Sequence, residues 1–338
     1  MRIHITNIYN ISGAAAESQH MVVDIAKEIM HCNELGIYRY PVESDSPEML
    51  RARLDGILAA VGWNDIVVFQ APSWNGVAFD EALMKRLNNY RRLKKIFFIN
   101  DVTPLMFENN RYLMGRYIEL YNQADLLIVP SQNMLDRLRG EGLTVRKYTV
   151  QKMWDCIASL DDSVKPQLDK VISFAGQTDG PKFSFVRQWK YDTVRLAVTA
   201  REGDWTHGSN IQFMGWFQDQ NLLVNALRRN GGFGLLWSED AYWMEYMKLN
   251  ASSKLSLYLA AGIPVIVHSS IPEADTILCK NLGLVVDSLD EAVEKVESMT
   301  KERYDQMVQA VADFGQLIRG GYFTKKVLTD AIFQLLYD

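Results

Sequence analysis

The stretch 246–268, YMKLNASSKLSLYLAAGIPVIVH, decides the fold. It reads as an irregular loop, a helix, a stop at Gly262 and a buried strand. Ser252 and Ser253 are residue types that suit an N-terminal cap, so the helix starts there and Lys254 falls in its first turn. Leu255, Leu257, Tyr258 and Leu259 anchor the helix, while Ala260, Ala261 and Gly262 allow close packing on a sheet. Gly262 is a natural C-terminal stop, and Pro264 opens the strand 265–267. A helix feeding directly into an apolar strand is one αβ unit of a parallel sheet.

Lys254 carries the wrong charge for that end of the helix dipole, so it calls for an anionic partner. Free N–H groups with an ammonium beside them make a phosphate or diphosphate clamp. A lone Lys near a helix start is more often simply solvated. No GxxxxGK[ST] loop occurs in the chain, so the clamp is not of the Walker type.

The same alternation runs through the rest of the chain. The β-branched run 3–6 is a first strand, and its polar loop, 7–18, carries the small residues Gly13, Ala14, Ala15 and Ala16. A helix continues to about Met30. Residues 37–42 read as a second strand, at a sheet edge because of Pro41, and a helix follows over 47–60. The apolar runs 65–70, 95–101 and 126–130 are buried parallel strands, and 145–150 closes the first half. The polar stretch 151–169, QKMWDCIASLDDSVKPQLD, breaks the pattern and marks the boundary. Strands at 171–175, 196–199, 211–214, 233–237, 265–268 and 284–286 build a second half. The tail 301–338 is two helical patterns split at Gly320 and Gly321. The expected fold is therefore α/β, with two doubly wound Rossmann-like domains, 1–152 and 153–318, facing a cleft, and a final segment, 319–338.

At 338 residues the chain is long enough for two such domains. A hydrophobic content of 48% with 23% charged residues is that of a globular protein, and a net charge of −5 argues against a broad nucleic-acid surface. No apolar run reaches membrane-span length, and the N-terminus has no signal-peptide core. Three cysteines without a CxxC suit a reducing compartment. There is no HExxH, no GxSxG and no three-glycine dinucleotide fingerprint.

Residues with chemical potential cluster after the strands. The first half supplies Ser73, Trp74, Asn75, Asn100, Asp101 and Thr103; the second supplies Gly176, Lys182, Gly215, Trp216, Trp237, Ser238, Glu239, Asp240, Asn250 and Lys254. All are placed to face one crevice at the carboxyl ends of the strands. Each has an ordinary structural role as its alternative. Trp74 can cap the core, Asp101 can cap a turn, Trp216 can pack on its own sheet, and Lys182 can be a solvated charge.

The ordered series MRIHITN, NELGIY, APSWNG, FINDVTPLMF, ADLLIVPS, MWD, FAG and SSKLSLYLAAGIPVIV spans nearly the whole chain. It resembles the small GT-B glucosyltransferases that carry out the second step in O-glycosylation of serine-rich-repeat adhesins, which are related to galactofuranosyltransferase-like proteins. The resemblance implies transfer of a hexose, glucose first among the options, from a UDP-sugar to GlcNAc linked to Ser or Thr. It also implies a cytoplasmic homo-oligomer, a tetramer, with no permanent cofactor and no metal, and a last helix crossing back onto the first domain. Carried over by residue, Asn250 and the loop Ser252, Ser253, Lys254, Leu255, Ser256 and Leu257 match the diphosphate-binding stretch. Lys182 stands where the family has a basic residue for the nucleotide, and Trp216 where it has an aromatic that stacks on uracil. Gly13, Ala14, Ala15 and Ala16 match the N-terminal donor loop, with Ala in place of a hydroxyl residue. Trp74, Asn75 and Asp101 fall on the acceptor side. The family commonly has His before that Asp. Here it is Asn100, which is no base, so a base role rests on Asp101. UDP-GlcNAc, UDP-galactose and UDP-galactofuranose remain alternative donors, and a non-catalytic nucleotide-sugar-binding subunit remains an alternative function.

Overall fold

Each apolar run becomes a strand whose exit carries the polar residues. The structure, a computed structural model, describes residues 1–176, 178, 180–201 and 210–337. The chain forms two compact units, Met1–Lys152 with Phe323–Asp338, and Met153–Tyr322.

The first unit holds β1 (Ile3–Tyr9), β2 (Asn33–Tyr38), β3 (Ile66–Ala71), β4 (Lys94–Ile99), β5 (Leu126–Val129) and β6 (Tyr148–Val150). They pair in parallel in the order β2-β1-β3-β4-β5-β6. Helices α1 (Ala14–Met30), α2 (Pro47–Ile57), α3 (Val77–Leu87), α4 (Thr103–Met106), α5 (Met114–Tyr121) and α6 (Gln132–Gly140) connect them. β3, β4 and β5 are buried on both faces apart from the first residues of β4, as parallel strands between helix layers must be.

The second unit holds β7 (Val171–Phe174), β8 (Arg195–Val198), β9 (Ile211–Phe213), β10 (Phe233–Leu236), β11 (Val265–His268) and β12 (Gly283–Val286). They also pair in parallel, in the order β12-β11-β10-β7-β8-β9. Its helices are α7 (Ser184–Arg187), α8 (Gln220–Asn230), α9 (Ala241–Met247), α10 (Ser253–Ala261), α11 (Ala274–Cys279), α12 (Leu289–Glu297) and α13 (Lys301–Arg319). Strand order reverses between β7 and β10, and ligands of open α/β sheets bind at such a switch point, outside the carboxyl ends.

The last helix, α14 (Tyr322–Leu336), belongs to the first unit from residue 323 onward. There Lys147 Nζ donates to Gln334 O at 2.7 Å, Gln151 Nε2 to Thr324 Oγ1 at 3.3 Å, and Lys325 pairs with Glu28 at 2.9 Å. Among the described residues no helix is long and apolar enough to cross a membrane.

α10 is docked with unusual closeness. The Tyr258 hydroxyl accepts from Ala175 N–H at 2.8 Å and donates to Leu235 O at 3.1 Å, which ties the helix to the exit of β7 and to β10. Its ring lies against the backbone of Gly234, where any Cβ would come within 2.2 Å of the ring. At the C-terminal end Arg228 and Arg319 donate to the carbonyls of Ala261 and Ala260, a cation placement that suits a helix C-terminus.

Three local expectations need correction. The second strand is Asn33–Tyr38, not 37–42: as an edge strand it buries only alternate positions, so its polar residues hid it. Ala14, Ala15 and Ala16 are not loop but the first turn of α1. Gly13, at φ 89°, turns the chain into the helix, and alanine is the best helix former. Leu257 is only half-buried, while Ser256 is fully buried in its place.

Candidate active site

The site is built around the start of α10. Six other helices begin with a side-chain cap, from Ser46, Ser131, Asp219, Asp240, Ser288 or Thr300. Ser252 stands at the cap position of α10 with extended backbone, but its side chain makes no cap bond. The positive end of the α10 dipole thus lacks the side-chain cap that closes those six, as do the starts of α1, α3 and α11.

Lys254 stands in that first turn. It is half-buried, and among the described residues no carboxylate pairs with it. Its stem runs past Gly176 at the exit of β7: a Cβ on Gly176 would lie 2.7 Å from Lys254 Cε. The ammonium sits 5.2 Å from the Phe183 ring centroid. Burial, and then the neighbouring Lys182 ammonium, pull the Lys254 pKa down to about 8. Lys182 is itself placed, with Nζ 3.6 Å from the Trp243 centroid and its carbonyl accepting from Ser238 Oγ at 2.7 Å. Two cations are therefore held together at the uncapped helix start, over a glycine, at the switch point. Burial and the neighbouring ammonium disfavour the charged form of Lys254, and a bound anion would favour it.

The other residues of this unit distribute around it. Asn250 is half-buried in the turn before α10, its N–H bound to Tyr246 O. Ser252 and Ser253 are half-buried. Leu255 and Ser256 are buried, and the Ser256 hydroxyl has no hydrogen-bond partner among the described residues. Trp216 is 61% exposed, and among the described residues no ring or cation contact covers its face. Trp237 is buried in the core cluster with Phe174 and Phe183. Among the described residues no cluster of three or more His, Cys, Asp or Glu side chains is arranged to hold a metal ion.

Residues 2–153 match the N-terminal domain, and residues 172–331 the C-terminal domain, of the family described as glucosyltransferase 3-like. The chain is 44% identical to Glucosyltransferase 3 of Streptococcus gordonii over 99% of its own length and 100% of that protein. It is 40% identical to Glucosyltransferase 3 of Streptococcus parasanguinis over the full length of both. The chain belongs to the glucosyltransferase 3-like family. It is a glycosyltransferase, and its fold is that of GT-B enzymes. Among solved structures it resembles HepE of Anabaena, described in complex with UDP, at a TM-score of 0.69, 11% identity, and coverage of 99% of this chain and 100% of that one. At that identity the likeness concerns the fold.

In this glucosyltransferase 3-like chain the first unit has its own group at the strand exits. Gly13 is exposed with open space where a Cβ would sit. Asp101 is half-buried after β4. Trp74 is half-buried at φ 61°, and its indole N–H is buried without an acceptor among the described residues. Asn75 also has a structural role. Its Nδ2 donates to Tyr38 O and its Oδ1 accepts from Tyr40 N–H, both at 3.1 Å, so its amide holds the segment after β2. One N–H and one lone pair of that amide remain uncommitted among the described residues.

Sequence reasoning left several features unread. Tyr258 was expected to anchor the helix as packing, and the two hydrogen bonds of its hydroxyl were not legible. Asn100 was read as a residue that could not act as a base. Its amide is buried with neither Oδ1 nor Nδ2 partnered among the described residues. Trp243, the cation–π partner of Lys182, had no signal beyond its aromatic type.

Proposed function

We propose that the chain transfers glucose from UDP-glucose to GlcNAc already linked to Ser or Thr of a serine-rich-repeat adhesin. The second unit holds the nucleotide sugar and the first unit the acceptor. The enzyme works in the cytoplasm as a homo-oligomer, a tetramer. The observation that carries the reading is the Lys254 ammonium, without a carboxylate partner among the described residues, at the uncapped start of α10 with Lys182 beside it. The names of the relatives support glucose as the sugar, and the UDP described in the HepE complex is consistent with a uridine nucleotide.

In the reaction the bond from the sugar C1 to the β-phosphate oxygen breaks, and a bond from C1 to the acceptor hydroxyl oxygen forms. The electron pair leaves with UDP. Lys254 and the α10 amides stabilise that growing charge more in the transition state than in the ground state. The acceptor proton goes to Asp101. Asp101→Asn is expected to lower kcat by about a hundredfold, within the usual range for a lost general base. Unchanged kcat would assign the proton to the leaving diphosphate instead.

The site has a pH signature. The Lys254 ammonium loses its proton as pH passes about 8, whereas a bound diphosphate favours the charged form. Binding above pH 8 must therefore take up a proton, and KM for UDP-glucose should rise by up to about tenfold per pH unit there. Calorimetry of UDP binding at pH 8.5 or so, in buffers of different ionisation enthalpy, should show that uptake. A flat KM from pH 7 to 9 would remove Lys254 from the diphosphate. The overall reading is tested by incubating the protein with UDP-glucose and a GlcNAc-bearing Ser/Thr peptide. A gain of one hexose in the peptide mass supports it; UDP binding without any gain favours a non-catalytic subunit. A panel with UDP-GlcNAc, UDP-galactose and UDP-galactofuranose fixes the donor.

A further inference from the structure

One prepared group at a strand exit has no task in the account above. His268 ends β11, one strand beyond β10 from the switch point. Its Nδ1 accepts from the backbone N–H of Ser270 at 3.1 Å, and Ser270 Oγ lies 2.8 Å from the same nitrogen. A backbone N–H can only donate, so Nδ1 carries no proton and the neutral ring must carry its proton on Nε2. The ring is packed 5.3 Å from that of Trp237, which is 5% exposed and fixed in the core cluster beside Phe183. His268 itself is half-buried, and Nε2 has no partner among the described residues. Tautomer and ring orientation are thus set in advance, and the N–H they present is unused. Orientation settled before binding is what a recognition group needs.

Position on the sheet says which part of a ligand it meets. The strand exits run in the order β11, β10, β7, β8, β9. Lys254 and Gly176 mark the β7 exit, Trp216 follows β9, and His268 ends β11. Each end station is two strand spacings from the middle, roughly 10 Å. A nucleotide sugar has three parts in a row: base, diphosphate, hexose. With the diphosphate at Lys254, the open aromatic face of Trp216 suits the flat base. The opposite station offers no open aromatic face, because the His268 ring is packed on Trp237. It offers one fixed N–H, which suits a hydroxyl oxygen.

We propose that His268 Nε2–H donates a hydrogen bond to one hydroxyl of the donor hexose, making His268 a residue that selects the sugar. This rests on the UDP-sugar reading of the α10 site and extends it to the sugar.

The test uses the full-length protein and three variants. His268→Phe keeps a ring against Trp237 without the donor, His268→Ala removes both, and His268→Gln restores an N–H near the Nε2 position. UDP affinity is measured first by calorimetry. The expected result is that UDP affinity stays within about twofold in all variants, while KM for UDP-glucose rises about tenfold in His268→Phe and His268→Ala, the size of one hydrogen bond. His268→Gln should recover most of that loss. Donors lacking single hydroxyls, among them UDP-xylose and UDP-2-deoxyglucose, then locate the contact. The donor without the contacted hydroxyl should be used equally by the unaltered protein and by His268→Phe. UDP affinity falling together with that of UDP-glucose, or a His268→Phe penalty identical for every donor, would overturn the sugar assignment. Failure of the unaltered protein to bind UDP would instead overturn the nucleotide reading on which it rests.

Discussion

Lys254→Met lowers kcat/KM for UDP-glucose by a hundredfold or more while leaving the fold intact. The magnitude follows from what the ammonium does. Removing one preorganised group from a developing negative charge costs about 2.7–4 kcal/mol of barrier, equivalent to roughly 10²–10³ in rate. Methionine keeps the stem that lies against Gly176 and Phe183, so the variant isolates the charge from the packing. Stability should not fall with activity. The ammonium has no carboxylate partner among the described residues, and burial with the Lys182 charge depresses its pKa, so the folded protein pays for holding it. Thermal unfolding of the variant should match that of the unaltered protein or lie slightly above it. UDP affinity should drop as well, though less than kcat/KM, because the charge on the leaving group grows on the way to the transition state. A variant with normal turnover would disconnect the α10 start from catalysis, whatever its stability.

The same residue shows what can be read from sequence. Lys254 was legible because everything that marks it is local: a helix start, a cation in the first turn, a glycine stop and an apolar strand all lie within one short stretch. The buried strands were legible for the same reason, since runs such as those of β3 and β5 are apolar at every position. β2 was misplaced because it is half-exposed and alternates, and the small residues that open α1 were taken for loop because they follow Gly13 and a polar stretch. What stayed hidden depends on residues far apart in the chain. Nothing near Lys254 announces that Gly176 makes room for its stem, or that Phe183 lies beside it. That Asn75 also holds Tyr38 and Tyr40 by its amide could not be read from its neighbours in the chain. The orientation of His268 is set by one backbone N–H two residues on, a fact of geometry and not of residue type.

Gly234→Ala should be the most damaging single methyl group in the second unit. Gly234 lies in β10 with ordinary backbone angles, so strain of the chain itself is not the issue. The added Cβ would sit 2.2 Å from Tyr258 Cγ and 2.5 and 2.6 Å from Cδ1 and Cδ2, against the ring and not at a flexible tip. The ring cannot yield cheaply, because its hydroxyl is held by Ala175 N–H and Leu235 O and the side chain is fully buried. Either the helix lifts off the sheet or both hydrogen bonds are lost. Overpacking alone costs about 1–3 kcal/mol, and each buried hydrogen bond about 1 more, so a loss of about 3–5 kcal/mol is expected. In a unit of this size that is a fall in Tm on the order of 10 °C. Tyr258→Ala also destabilises, but the two changes share one cause. In the double variant the new methyl group enters the space the ring has left, so the combined loss should be smaller than the sum by at least about 1 kcal/mol. Strict additivity, or a loss below about 1 kcal/mol for Gly234→Ala alone, would mean that α10 is free to shift on the sheet. A loose α10 would be hard to reconcile with an anion clamp at its start, because Lys254 lies one turn before Tyr258 on the same face of the helix.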